Sequence, residues 1–400
     1  MKTCIPLLLT LVTFASVTVA QSTKDKIEIG VQTTSLTIFR PDPPFFDFTQ
    51  AGVGGRVGYN FNRSIAAEAE VNFFPQKFFI LNAEGRAVQG QFGVKVGKRF
   101  EKFGLFGKVR PGVLSVNRVF SFIPPPGSQG GGFDFRIERR NFFTIDAGGV
   151  LELYPSKRTV VRFEAGDTAI RHPERLDQLR SAKFNHNFQF TAGVAFRLGD
   201  FPDEGTNVKV SDAGQERTKR FEVGVQFTSL FVEPNFPSAI SFPQHTEPGF
   251  GGRFTFNLTE NIGFEAEGNY YTREQLGFPQ SGHMYQGQFG GKVGKRFEKW
   301  GVFGKARPGF VGFTRVRDFS FVPIPGSPNL NFENKLYPSL DIGGVVEFYI
   351  SPRWMARFDI GDTIIRYDEI RLLGPIQPFI IQAGKTTHNL QVSSGIGFRF

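Results

Sequence analysis

The sequence predicts an all-β chain built from two copies of one antiparallel, up-and-down unit of eight strands. Residues Gly90–Gly112 read GQFGVKVGKRFEKFGLFGKVRPG and residues Gly287–Gly309 read GQFGGKVGKRFEKWGVFGKARPG, with 19 of 23 positions identical at a constant offset of 197. Within the repeat, Phe92, Val94 and Val96 alternate with Gln91, Gly93 and Lys95. After a short basic turn, Leu105, Gly107 and Val109 alternate with Phe106, Lys108 and Arg110. Successive side chains of a strand point to opposite faces, so this is a hairpin with one apolar and one charged face. The third observation is the punctuation. Tight turns such as Asn62-Arg63-Ser64 and Pro155–Arg158 take turns with long Pro-, Gly- and Phe-rich loops.

The first unit opens at Lys26, where Ile27, Ile29 and Val31 alternate with Glu28, Gly30 and Gln32. A Pro/Phe-rich loop over Phe39–Gln50 leads to a second strand, Gly52–Phe61, with Arg56 and Asn60 opposite Val53, Val57 and Tyr59. The third strand, Ile65–Phe74, sets Glu68 and Glu70 against Ala67, Ala69 and Val71. The repeat hairpin supplies strands four and five. A long loop over Asn117–Asn141 carries Pro124-Pro125-Pro126 and Gly130-Gly131-Gly132. Strand six is Phe143–Tyr154, with Asp146 and Glu152 on its polar face. Strand seven starts at Thr159, with Arg162 and Glu164 opposite Val161 and Phe163. Strand eight is Asn187–Leu198, with Gln189, Thr191 and Arg197 opposite Phe188, Phe190 and Phe196. Residues 199–219 are polar without alternation and read as a linker. The second unit, 220–400, then repeats the plan: Glu222, Arg253, Glu265, Glu267, Lys292, Lys305, Arg307, Asp341, Glu347 and Arg357 fall where Glu28, Arg56, Glu68, Glu70, Lys95, Lys108, Arg110, Asp146, Glu152 and Arg162 fell.

Composition agrees with this plan and removes other classes. Phe (49) and Gly (47) are both abundant among 400 residues, as suits bulky strand faces and tight turns. After the first twenty residues no window is long and apolar enough for a membrane helix, which leaves a barrel as the membrane option, since alternation dilutes its hydropathy. Residues 1–20, with Lys2, the apolar run Ile5–Val19 and small residues before Gln21, read as a secretory signal cleaved after about Ala20. The single cysteine, Cys4, lies inside it, so the mature chain has no disulfide or thiol chemistry. The net charge of +10 comes from bases clustered in turns and alternating with acids along strands. There is no basic helix or zinc-finger spacing, so nucleic acid is not an expected partner.

Eight amphipathic strands can close with the apolar face inward, as a soluble barrel, or outward, toward lipid. Strand lengths near ten residues, the alternation of short turns with long loops, and a charged face carrying both signs favour a transmembrane β-barrel. The chain resembles the small outer-membrane barrels of the OmpA/OmpX type, the outer membrane protein beta-barrel domain family. The resemblance rests on the eight-strand pattern, the secretory leader and the aromatic end Phe398-Arg399-Phe400. It implies an exported protein of the bacterial outer membrane, with lipid as its surroundings and Phe398 and Phe400 as a signal for the barrel-insertion machinery. An eight-stranded barrel is narrow enough for side chains to fill it. Its lumen would then hold Glu28, Arg56, Glu68, Glu70, Lys95, Lys108, Arg110, Asp146, Glu152, Arg162 and Glu164 as an interlocked salt-bridge core, with the ten matching residues in the second unit. Two tandem barrels are preferred to one sixteen-stranded barrel because the linker is too long for a short turn.

A structural or surface-interaction role follows from that picture, with the aromatic loops (Phe39–Phe48, Phe120–Phe135, Phe319–Phe332) as the working part. A porin or small-solute channel is the alternative. A barrel hydrolase is the third option, because Asp167-Thr168 with Arg171 recurs as Asp362-Thr363 with Arg366, and His186-Asn187 recurs as His388-Asn389. Asp, His and Thr on adjacent strand ends have the chemistry of a hydrolytic site, but no GxSxG-type motif accompanies them, so no enzyme is expected. His172, His245 and His283 are isolated, without metal-ligand spacing, and the glycine-rich segments lack the strand-to-helix setting of a phosphate loop. No cofactor is expected.

Overall fold

The computed structural model describes residues 27–38, 48–78, 85–123, 134–172, 183–198, 220–233, 245–271, 282–317, 332–372 and 379–400. The leader and the linker lie outside these residues, as do most of the aromatic loop segments. Every described element is a strand. In the first half these are β1 (Ile27–Ile38), β2 (Phe48–Asn60), β3 (Ile65–Phe78), β4 (Gly85–Arg99), β5 (Phe103–Ile123), β6 (Asp134–Leu153), β7 (Thr159–His172), β8 (Lys183–Asn185) and β9 (Phe188–Leu198). The second half has β10 (Phe221–Val232), β11 (His245–Asn257), β12 (Ile262–Tyr271), β13 (Met284–Arg296), β14 (Trp300–Arg317), β15 (Phe332–Tyr349), β16 (Trp354–Tyr367), β17 (Ile370–Leu372), β18 (Phe379–Gln382) and β19 (Lys385–Arg399).

Antiparallel ladders close two rings. β1 pairs with β2 on one side and with β9 on the other, and the intervening strands pair in sequence. In the same way β10 pairs with both β11 and β19. Each ring is therefore an eight-stranded up-and-down barrel, and one residue pair, Thr49↔Thr246, joins β2 to β11 across them. Registers match between rings: Arg56 lies opposite Glu70 as Arg253 lies opposite Glu267, and Arg110 opposite Asp146 as Arg307 opposite Asp341.

The tight turns are made by side chains that stand in for backbone partners. Asn62 Oδ1 accepts the N–H groups of Ser64 and Ile65 at 2.8 and 2.9 Å, and Ser156 Oγ accepts that of Thr159 at 3.0 Å. Thr259 and Ser351 do the same in the second barrel. Such local bonds favour a turn over a continued strand. Aromatics gather at this end: Phe100 stacks on Phe103, Phe297 on Trp300, and Trp354 meets Phe398 edge-on.

Several boundaries differ from the sequence expectation. The stretch 117–141, read as a loop, is largely strand: β5 runs on to Ile123 and β6 begins at Asp134, paired Ile123↔Asp134 beyond an irregularity between Val116 and Val119. β2 starts at Phe48, inside the segment read as a Pro/Phe loop. Strands reach 21 residues rather than about ten. Cross-strand pairing holds these segments extended where alternation fades, because a ladder needs backbone partners and tolerates irregular side chains.

Outward and inward faces follow strand parity. Outward residues such as Val31, Phe92, Val225 and Phe289 are 58–70% exposed, whereas inward Arg110, Arg162, Arg307 and Arg357 are fully buried. A charged interior and an apolar exterior invert the soluble pattern and fit a lipid surround.

Candidate functional site

The lumen of the first barrel is arranged in three layers along the strands. Nearest the tight turns lies the charge network. Arg56 pairs with Glu28 at 3.0 Å and with Glu164 at 3.3 Å. Lys95 pairs with Glu68 at 3.0 Å and also with Glu152. Lys108 reaches Asp146 at 2.7 Å and Glu164 at 2.6 Å. Arg110 spans three carboxylates, Glu70 at 2.6 Å, Asp146 at 2.7 Å and Glu164 at 2.8 Å. Arg162 pairs with Glu68 and Glu164. Gly93 makes room for this cluster. A Cβ there would sit 2.1 Å from the Val109 carbonyl and 2.9 Å from Arg110 Cγ, and Gly290 meets Arg307 in the same way. Ions removed from water persist only when so paired.

The second barrel brings together Glu222, Arg253, Glu265, Glu267, Lys292, Lys305, Arg307, Asp341, Glu347 and Arg357, all buried. Lys292 pairs with Glu347 at 2.6 Å and Glu222 at 3.3 Å. Arg307 pairs with Glu267 at 2.5 Å and Asp341 at 2.6 Å, Arg357 holds Glu265, and Lys305 holds Asp341 at 2.9 Å. Four further lumen charges, Asp359, Arg197, Arg399 and, toward the long connections, Glu247, escaped the sequence reading of the network. The signal was present, since each stands two residues from another inward position on its strand. Half-buried Arg99 and Arg296, next to the turns, complete the lower edge at Glu152 and Glu222.

Above the charges is a girdle of amides and hydroxyls. Gln32 donates to Asn72, Asn72 to Gln89, Gln89 to Gln189, and Thr168 also donates to Gln189, at 2.8–3.1 Å. Gln226, Asn269, Gln286, Gln391 and Thr363 form the same circuit in the second barrel. Above the girdle, at the end with the long connections, the inward positions turn apolar. Leu36, Ile38, Phe74, Leu114 and Ile170 pack into one buried cluster. Leu230, Tyr271, Met284, Phe313, Tyr337 and Tyr367 do so in the second barrel. Reading one face as charged along its full length missed this cap. The parity is unchanged, but the chemistry of the inward residues switches partway along each strand.

The Asp/Thr/His clusters lie at the rim. His186 Nδ1 is 2.5 Å from Asp167 Oδ2, and His388 Nδ1 is 2.6 Å from Asp362 Oδ2, with both histidines largely exposed. The other carboxylate oxygen accepts the N–H of Asn187 or Asn389 at 2.9 and 3.0 Å. Thr168 and Thr363 point the opposite way, into the lumen, and bond Gln189 and Gln391. The dyads are thus on the outer face and the hydroxyls on the inner face of the same strands, so the hydroxyl is not placed for attack. Arg366 instead donates to Thr386 at 3.2 Å. Phe398 and Phe400 face outward beside Trp354 and Phe221. No group of three or more potential metal ligands occurs among the described residues.

No curated protein matches this chain. Among solved structures, Neisserial surface protein A is 7% identical, with a TM-score of 0.31, covering 42% of this chain and 96% of its own. Ail, the attachment invasion locus protein of Yersinia pestis, is 13% identical, with a TM-score of 0.29 and coverages of 44% and 100%. A Pseudomonas aeruginosa FadL homologue is 10% identical, with a TM-score of 0.29 and coverages of 94% and 91%. Residues 7–200 match the outer membrane protein beta-barrel domain. Over that stretch, whose described strands close the first ring with its outward apolar and inward charged faces, the chain is similar to the outer membrane protein beta-barrel family.

Proposed function

We propose that this outer-membrane barrel protein is non-conducting and has a structural or surface-interaction role, with the long connections as its working surface. The tight turns then face the periplasm and the long connections the outside, as in barrels of this kind. The carrying observation is the filled lumen. Paired charges, a hydrogen-bonded chain of amides and an apolar cap follow one another inside each ring, and the largest side chains there, Arg110, Arg162, Arg307 and Arg357, are fully buried. An apolar constriction resists wetting, and neutralised charges offer an ion no free counter-charge. The rim dyads are read as outward-facing strand contacts with no catalytic role: the β7–β9 ladder stops at Asp167↔Phe188, whereas β16–β19 continues past Asp362 to Tyr367↔Lys385. Phe398 and Phe400 supply the insertion signal, and the leader is removed near Ala20.

Single-channel recording of the refolded mature chain in a planar bilayer tests this reading. Silence, together with a folded band that shifts on heating, is the expected result. Large stable steps would move the function to solute transport.

A further inference from the structure

We infer that the two barrels are a fused homodimer: the face that joins them is self-complementary, and its natural partner is a second copy of the same unit. The evidence is a patch of outward residues that are not exposed. Most outward apolar side chains lie open, yet Val161 and Ala356 are 0% exposed and Phe163 only 9%. They belong to a single buried cluster that draws on both barrels, with Phe358, Val194 and Ile396 packed against it.

Much of the cluster uses the same positions from each side, although Phe190 stacks on the non-equivalent Phe227 at 4.1 Å. Val161 and Ala356, and Phe163 and Phe358, are equivalent by their places beside Arg162 and Arg357, each opposite Glu152 or Glu347 across the ladder. Val194 and Ile396 are equivalent by their places three residues before Arg197 and Arg399. The two equivalent phenylalanines stack on one another, with centroids 6.0 Å apart and planes 5° from parallel. At the far end of the seam, equivalent residues meet again: Thr49 pairs antiparallel with Thr246. A residue touching its own counterpart marks a two-fold axis, and two such pairs at different heights fix its line. That is the geometry of an isologous dimer interface, here within one chain. A heterologous contact would set unlike positions face to face throughout.

The side chains fit this use. Flat aromatic and small aliphatic groups let two curved sheets approach closely, which is what drives association where lipid is as apolar as protein. Nearer the long connections the first barrel's side of the seam becomes polar, where Thr49 shares a 2.9 Å hydroxyl contact with Thr37 of its own barrel.

The test uses the full chain with Cys4 replaced by Ser. Thr49→Cys with Thr246→Cys places two thiols on directly paired antiparallel residues, within reach of a disulfide. Near-complete intrachain cross-linking of the heat-modifiable form is expected; a yield below about a tenth of the chains would show that the barrels do not meet there and overturn the seam. The second barrel's face is then converted to the first's by Ala356→Val and Ile396→Val. A self-complementary seam keeps the yield within about twofold of its parent. A fall of about tenfold, with the heat-modifiable shift intact, would show a contact between unlike faces and overturn the homodimer. A third form, Phe163→Lys with Phe358→Lys, sets like charges across the axis and should abolish the cross-link. Retention of the cross-link in that form would also overturn the proposal.

Discussion

Glu164 and Asp359 occupy the same place in the two barrels and differ by one methylene. Glu164 touches four bases: Arg56 at 3.3 Å, Lys108 at 2.6 Å, Arg110 at 2.8 Å, and Arg162. Asp359 holds Arg357 at 2.8 Å, but Lys305 stands at 3.5 Å and Arg253 at 3.7 Å. Arg253 then donates to Gln226 instead, at 3.0 Å. In the first barrel Arg56 holds Glu28, whereas in the second Glu222 is taken by Arg296 at 2.9 Å and Arg399 at 3.2 Å. Strand parity decides which residues enter the lumen, and the reach of each carboxylate decides which partner it takes. The network is therefore fixed in membership and adjustable in wiring.

That contrast can be broken or sharpened by substitution. Arg110→Ala and Arg307→Ala each strip one base from several buried carboxylates. Each should cost about 3–5 kcal/mol in a reversible urea unfolding of the lipid-inserted protein. Equal survival of both variants would mean that water reaches these carboxylates. Val31→Arg puts a charge on the open lipid face, where about 2–4 kcal/mol is expected at mid-depth, and Val225→Arg should match it. Glu164→Asp should impose the second barrel's wiring on the first at about 1 kcal/mol, the worth of one charged contact weakened rather than lost. The reverse change, Asp359→Glu, should be neutral or gain slightly. Lys102→Ala, in an exposed turn, should leave the heat-modifiability gel unchanged.

Much of this was legible in the sequence, because a period of two states which face each residue occupies. Glu68, Glu70, Arg110 and Arg162 could be assigned to one face from their neighbours alone. Alternation could not show where the lumen changes chemistry. Leu36 and Ile38 keep the inward parity of Glu28, but as apolar residues they look like outward ones, so the cap was hidden. The rim dyads were visible as recurring Asp and His, yet the opposite facing of Thr168 follows only from counting along β7 from Arg162. The lengths of β5 and β6 were hidden for another reason. They are held by pairing with each other, a non-local property that neither strand's pattern carries.

Along the seam like heights meet: Phe163 stacks on Phe358 near the tight turns of both barrels, and Thr49 pairs with Thr246 near the long connections of both. Both barrels therefore point their long connections the same way, at a separation set by the seam. A surface that repeats its features at that spacing would meet two sets of loops at once. The second contact would form at the high effective concentration of a tethered neighbour, so weak individual grips would multiply into firm adhesion.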